Sequence, residues 1–219
     1  MPTTEIAGFP LIDGVTMDSI TDDPNSEAAL RIKEWSDEIV GQKGYHATSY
    51  GTIAESPSDL VAVIIWDSME AHISTLRQPD YKAVAESISS IFTGAGYMYH
   101  VDLEPHDEVQ RAMDAPIMEI ALFNFDDEPP EACLEIFQAF RKAAGKESGA
   151  TPIASAVGIT HEEVEFGDMK GNAVVLVVGW ESIEAHQAFR DSGTYKKYMP
   201  QLMKEVEKVQ IHHVALRKV

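Results

Sequence analysis

The chain has 219 residues, 44% of them hydrophobic and 24% charged, enough to bury a sizeable core as one ordinary domain or two small ones. Acidic residues outnumber basic ones 36 to 17, for a net charge of −19, which excludes nucleic acid and anionic membrane surfaces as partners because phosphates require a basic field. The single cysteine, Cys133, excludes an intramolecular disulfide framework and a Cys-based zinc site. With no leader-like start and no apolar run long enough for a bilayer, a cytoplasmic protein is expected.

In chain order, a strand is predicted over 6–12 and a helix over 26–40, with Ala29, Ile32, Trp35, Ile39 and Val40 at three- and four-residue steps on one face. Strands follow over 45–53 and 59–66, joined through the turn-rich stretch at 55–58. The second is apolar without alternation, as a strand covered on both faces would be. Ser68 is a good N-cap for a short helix. A further helical piece carries Tyr81, Val84, Ala85, Ile88, Ile91 and Phe92 on one side, and a strand over 97–103 closes the unit. A polar linker is expected over 105–115. The same order then recurs: strand 118–125, helix with Cys133, Ile136, Phe137, Phe140 and Ala144 on one face, strands 153–161 and 172–180, helices 182–190 and 195–207, strand 209–217.

The recurrence is visible in the residues themselves. Trp66-Asp67-Ser68-Met69-Glu70-Ala71-His72 returns as Trp180-Glu181-Ser182-Ile183-Glu184-Ala185-His186, displaced by 114 positions. The same displacement relates Glu5-Ile6-Ala7-Gly8-Phe9 to Glu119-Ile120-Ala121-Leu122-Phe123, and Tyr81-Lys82 to Tyr195-Lys196. His100-Val101-Asp102-Leu103 matches His213-Val214-Ala215-Leu216 at a displacement of 113. The chain therefore reads as two copies of one β-α-β-β-α-β unit, over 1–104 and 116–219. Each copy leaves one sheet face apolar, so the expected fold class is α+β, with two ferredoxin-like units packed sheet to sheet within one chain.

At the Trp-Asp/Glu-Ser-x-Glu-Ala-His blocks the sequence resembles the dimeric α+β barrel superfamily, specifically antibiotic-biosynthesis-monooxygenase-like domains, in the tandem form found among fungal small-molecule pathway proteins. The resemblance covers both copies. It implies a pocket between each sheet and its helices, and a menu of reactions: cofactor-free monooxygenation, polyketide cyclisation, haem degradation, isomerisation, or a stress-response role without turnover. The fold does not choose among them.

His72 and His186, at matched helix positions, are candidate acid/base groups, since an imidazole both takes and gives a proton near neutrality. The alternative is a helix-start histidine bonded to its surroundings. Tyr50 and Tyr81 are candidate carbonyl partners for an enolate. Candidates for holding substrate are His46, Trp66, Tyr97, Tyr99, Trp180 and Tyr195; for the tryptophans, core packing is the competing role. His46 and Tyr50 share a face if pairing is regular, and the larger number of polar aromatics on its strands points to the first copy as the working pocket. No metal site is expected: His212 and His213 are adjacent and so point opposite ways, and no ligand spacing stands out. Gly94-Ala95-Gly96 does not have the context of a phosphate loop.

The leading expectation is an enzyme without a bound cofactor, acting on a hydrophobic aromatic or polyketide-like molecule as a monooxygenase or cyclase. Alternatives are a haem protein of the same fold and a non-catalytic ligand-binding protein. The resemblance places the haem-ligand histidine of its haem-degrading members where this chain has Tyr81 and Tyr195, which argues against haem. The reading leaves room for a homodimer of the fused pair.

Overall fold

The computed structural model describes residues 1–147, 149–166, 169–204 and 206–219. The chain divides into two compact units, Met1–Met98 with Arg217–Val219, and Tyr99–Leu216.

The first unit contains β1 (Thr3–Pro10), α1 (Met17–Thr21), α2 (Glu27–Val40), β2 (Tyr45–Ile53), β3 (Ser56–Trp66), α3 (Met69–Leu76), α4 (Pro79–Ile88) and the start of β4 (Tyr97–Val101). Strand β3 lies between β1 and β2, antiparallel to both, with Ile6 opposite Val63 and Tyr50 opposite Ala62. From Leu60 to Trp66 every residue of β3 is buried, as its unalternated apolar run predicts. Ala62, Ile64 and Trp66 meet Trp35 and Ile39 of α2 and Tyr81 of α4 in one cluster. Burying each such large apolar side chain contributes about 1.5–3 kcal/mol, which is what holds the helices on the sheet. Val40, expected on that face, is exposed and lies at the last residue of α2. Helix α1 was not expected. It is only five residues long, too short for periodicity to register, and its local signal is the reciprocal pair in which Thr16 and Ser19 cap each other.

The second unit begins with the rest of β4 and continues through α5 (His106–Met113), β5 (Ile117–Asn124), α6 (Glu131–Ala144), β6 (Ala154–Ile159), β7 (Val164–Phe166), β8 (Met169–Gly171), β9 (Ala173–Trp180), α7 (Ile183–Phe189), α8 (Gly193–Leu202) and β10 (Lys208–Val214). A short β11 (Arg217–Lys218) belongs to the first unit, where it pairs with β2. In the second unit β9 is the inner strand, antiparallel to β5 and β6, and β10 lies on the other side of β5. Phe137 and Phe140 of α6 pack with Leu176, Val178 and Trp180 of β9, Phe189 of α7 and Leu202 of α8.

Two expectations are corrected here. Residues 105–115 are not a polar linker: α5 occupies most of them and belongs to the second unit. Ala112 and Met113 follow Val109 by three and four residues, so one stripe of this otherwise polar helix is buried. Its approach to the sheet is close, because a Cβ on Gly179 would come within 2.8 Å of Ala115 Cβ and 3.1 Å of Ala112 Cα. Between β6 and β9 the short strands β7 and β8 pair antiparallel, and Lys170 pairs with Glu163 and Glu165. The helix expected to 207 stops at Leu202; Glu205, within that expectation, lies outside the described residues.

Candidate functional site

Each unit places a carboxylate, an indole and an imidazole in the same arrangement. In the second unit Glu119 sits on β5, Trp180 ends β9, and the Ser182 hydroxyl accepts from the Ala185 N–H at 3.2 Å, which starts α7 and sets His186 in its first turn. The Trp180 indole donates to Glu119 Oε2 at 2.7 Å, and its ring stacks on His186 with centroids 5.1 Å apart and planes 15° apart. His186 Nδ1 lies 3.4 Å from Glu119 Oε2 and 2.8 Å from Nε2 of His213. In the first unit Trp66 donates to Glu5 Oε2 at 2.8 Å, stacks on His72 at 5.0 Å and 16°, and His72 Nδ1 lies 3.3 Å from Glu5 Oε2. The hydrogen bond from a neutral indole to a buried carboxylate satisfies a group that would otherwise be costly to bury.

The surroundings of the two arrangements differ. In the second unit a cavity of about 280 Å³ is lined by Glu119, Trp180, His186, Arg141, Tyr195 and a wall of phenylalanine, methionine and aliphatic side chains. Arg141 donates to the Ser155 carbonyl at 3.1 Å; burial lowers its pKa, opposed by Glu108 and Asp107. In the first unit a cavity of about 320 Å³ is lined by Glu5, Trp35, Tyr81, Phe9, Phe92 and further apolar residues. His72 is 0% exposed and, among the described residues, does not line that cavity. Burial and the charge of Glu5 push the Tyr81 phenol up to about 12, partly offset by its hydrogen bond with Trp35.

Several sequence candidates are thereby relocated. His186, Trp180 and Tyr195 come together at one cavity, and Tyr81 lines the other. Trp66 is fully buried and acts as the hydrogen-bond donor to Glu5. His46 is exposed and bonds Asp67 at 2.6 Å; a register shift between Tyr45 and Ala47 breaks the regular alternation that would have put it beside Tyr50. Tyr50 is half-buried, packed against the cores under α2, and burial raises its pKa. Tyr97 is 41% exposed against Gly8, and Tyr99 is buried; neither lines either of these two cavities. The sequence points to the first copy as the working pocket, whereas the cavity lined by both an imidazole and a guanidinium is in the second. Sequence reasoning missed Glu5, Glu119, His213 and Arg141. The signal for the first three was present, since a Glu at an otherwise apolar strand position and a His both recur in the matched blocks.

Neither a family model nor a curated protein matches the sequence. Solved structures do match. A monooxygenase candidate from Fusobacterium nucleatum is 13% identical with a TM-score of 0.66, over 99% of this chain and 93% of that one. An anthrone oxidase-like protein is 13% identical with a TM-score of 0.66, over 100% and 92%. The fold is that of the dimeric α+β barrel proteins. A chlorite dismutase candidate is also similar, at 14% identity and a TM-score of 0.61 over 99% of this chain and 94% of that one. At these identities the likeness establishes the fold and leaves the reaction to the site. Among the described residues, no helix is long and apolar enough to cross a membrane.

Proposed function

We propose that the protein is a monooxygenase-type enzyme without an organic cofactor, which binds a compact aromatic or polyketide-like molecule in the cavity of the second unit. The observation that carries this reading is the Glu119–His186 pair at the wall of an otherwise apolar cavity. His186 takes a proton from an acidic C–H or phenol of the substrate, and Glu119 stabilises the imidazolium that results. The enolate left behind passes an electron to O₂, and the radical and superoxide combine at carbon. The protonated peroxide loses water to leave a carbonyl, so one oxygen atom enters the product and the other leaves as water. The apolar wall keeps bulk water from the reactive pair. Tyr195 and Arg141 are positioned on the same cavity to orient a carbonyl or phenolate oxygen. A cyclase would use the same enolate against an internal carbonyl. The anthrone oxidase-like structure suggests a simple anthrone as first substrate.

Haem is the competing cofactor that the fold raises. Its axial imidazole must face an open cavity large enough for the macrocycle. His72 does not line the first unit's cavity, and the cavity that His186 lines is about 280 Å³. The cavity volume is at the bottom of the range of roughly 300–1,000 Å³ for small-molecule sites. The size of this cavity supports the reading without haem.

The test is oxygen uptake with an anthrone. His186→Ala should lose at least about 100-fold in turnover while remaining folded, the usual scale for an acid/base group. His46→Ala should retain full turnover. Equal turnover in wild type and His186→Ala would refute the reading.

A further inference from the structure

Three electron-pair donors converge beside the second unit's cavity. Glu119 Oε2, His186 Nδ1 and His213 Nε2 all lie within 4.8 Å of one another, and the residues are 5–6% exposed. A carboxylate oxygen offers only lone pairs, and a neutral imidazole carries one N–H for two nitrogens. Such a set is joined either by an N–H···N hydrogen bond between neutral imidazoles or by a metal ion that takes up the lone pairs.

Two of the three spacings match those of a metal's ligands. Ligand atoms about 2.0–2.2 Å from one ion stand roughly 2.8–3.5 Å from each other at tetrahedral or octahedral angles. The two measured separations about His186 Nδ1 are 2.8 Å and 3.4 Å. The frame is rigid: Glu119 and His213 are directly opposite in the β5–β10 ladder, and the Ser182 cap fixes the helix turn that carries His186. The Trp180 indole bond to Glu119 Oε2 supplies the outer partner that orients a ligating carboxylate. His212, on the opposite face of β10, contributes nothing to the set.

We infer that Glu119, His186 and His213 bind one divalent first-row transition-metal ion. Two imidazole nitrogens and one carboxylate oxygen suit zinc or ferrous iron. Metal binding requires both imidazoles to be neutral and the carboxyl ionised, so affinity falls as pH is lowered, and occupation removes His186 from proton transfer. The inference rests on the geometry of the cluster and not on the reaction proposed above.

The experiment titrates the full, chelator-stripped chain with zinc chloride by isothermal calorimetry at pH 7.5, and with cobalt(II) by visible ligand-field absorption. Because Glu5 and His72 place the same residue types in the first unit, the difference between variants is the measurement. His213→Ala and Glu119→Gln should each weaken one equivalent of zinc binding by roughly 100-fold or more, at least what loss of an outer-shell partner costs. Each should also abolish the cobalt spectrum of that site, while His212→Ala retains both. Glu119→Gln preserves side-chain shape and keeps the test intact should His213→Ala fold poorly. No saturable zinc binding by the wild type, or unchanged binding in both variants, would leave the set joined by hydrogen bonds alone and overturn the inference. Oxygen uptake by metal-free wild type and His186→Ala judges the proposed reaction separately.

Discussion

Replacing Trp180 by Phe retains a ring over His186 but removes the indole N–H from Glu119, at a site where donor and acceptor are both buried. A hydrogen bond to a charged group contributes about 1.5–3 kcal/mol. The lost indole volume adds about 1 kcal/mol on the scale of a buried methylene or two. The expected destabilisation is therefore about 3 kcal/mol, or a fall of roughly 6–12 °C in melting temperature for a chain of this length. A double-mutant cycle with Glu119→Leu, followed by urea unfolding, separates the two contributions. The coupling energy should be about 1.5–3 kcal/mol, because Trp180→Phe made in the Glu119→Leu background has no carboxylate left to strand. Trp66→Phe, whose indole sits 2.8 Å from Glu5, should reproduce the cost within about 0.5 kcal/mol. A coupling below about 0.5 kcal/mol would show that the indole does not support the carboxylate, and would refute the reading of this arrangement as a matched unit.

Two further outcomes follow from other parts of the fold. The Tyr81 phenol has its pKa raised from 10.0 to about 12 in the folded protein, so its contribution to stability is complete below pH 10 and is lost as pH rises through 12. The loss is on the order of 2–3 kcal/mol, and Tyr81→Phe should flatten that part of the stability–pH curve and remove one of the late-titrating phenols, Tyr97 being the other, from the absorbance titration. Failure of Tyr81→Phe to change the alkaline slope would sink the assignment. Gly179→Ala should cost about 1–3 kcal/mol by pressing a methyl group on Ala112 and Ala115 of the α5 region; a neutral effect in thermal unfolding would mean that α5 yields easily.

Much of the fold is legible from residue order alone. The unalternated runs ending in Trp66 and Trp180 read as strands buried on both faces, and every residue over 60–66 and 173–180 is buried. Ser68 and Ser182 are recognisable caps because a hydroxyl at that position answers a specific unpaired N–H. Helix α5 was obscured because its buried stripe is only Val109, Ala112 and Met113 in a strongly polar segment. Its stabilisation comes from the sheet it covers, information that no local window contains.

The candidate site divides along the same line. The repeat makes Glu5 and Glu119, His72 and His186, and Trp66 and Trp180 visible as matched pairs, since each sits at a fixed displacement within an ordered set of blocks. What only the tertiary structure decides is which of these groups meet and which face a cavity. Glu119 and His213 are 94 positions apart in the chain yet opposite each other in one ladder, and Arg141 reaches the same cavity from α6. A bulge of one residue was enough to take His46 away from Tyr50. Chain order records periodicity and capping because these act over a few residues. Convergence of a carboxylate and two imidazoles depends on strand register and helix packing, which only the folded chain fixes.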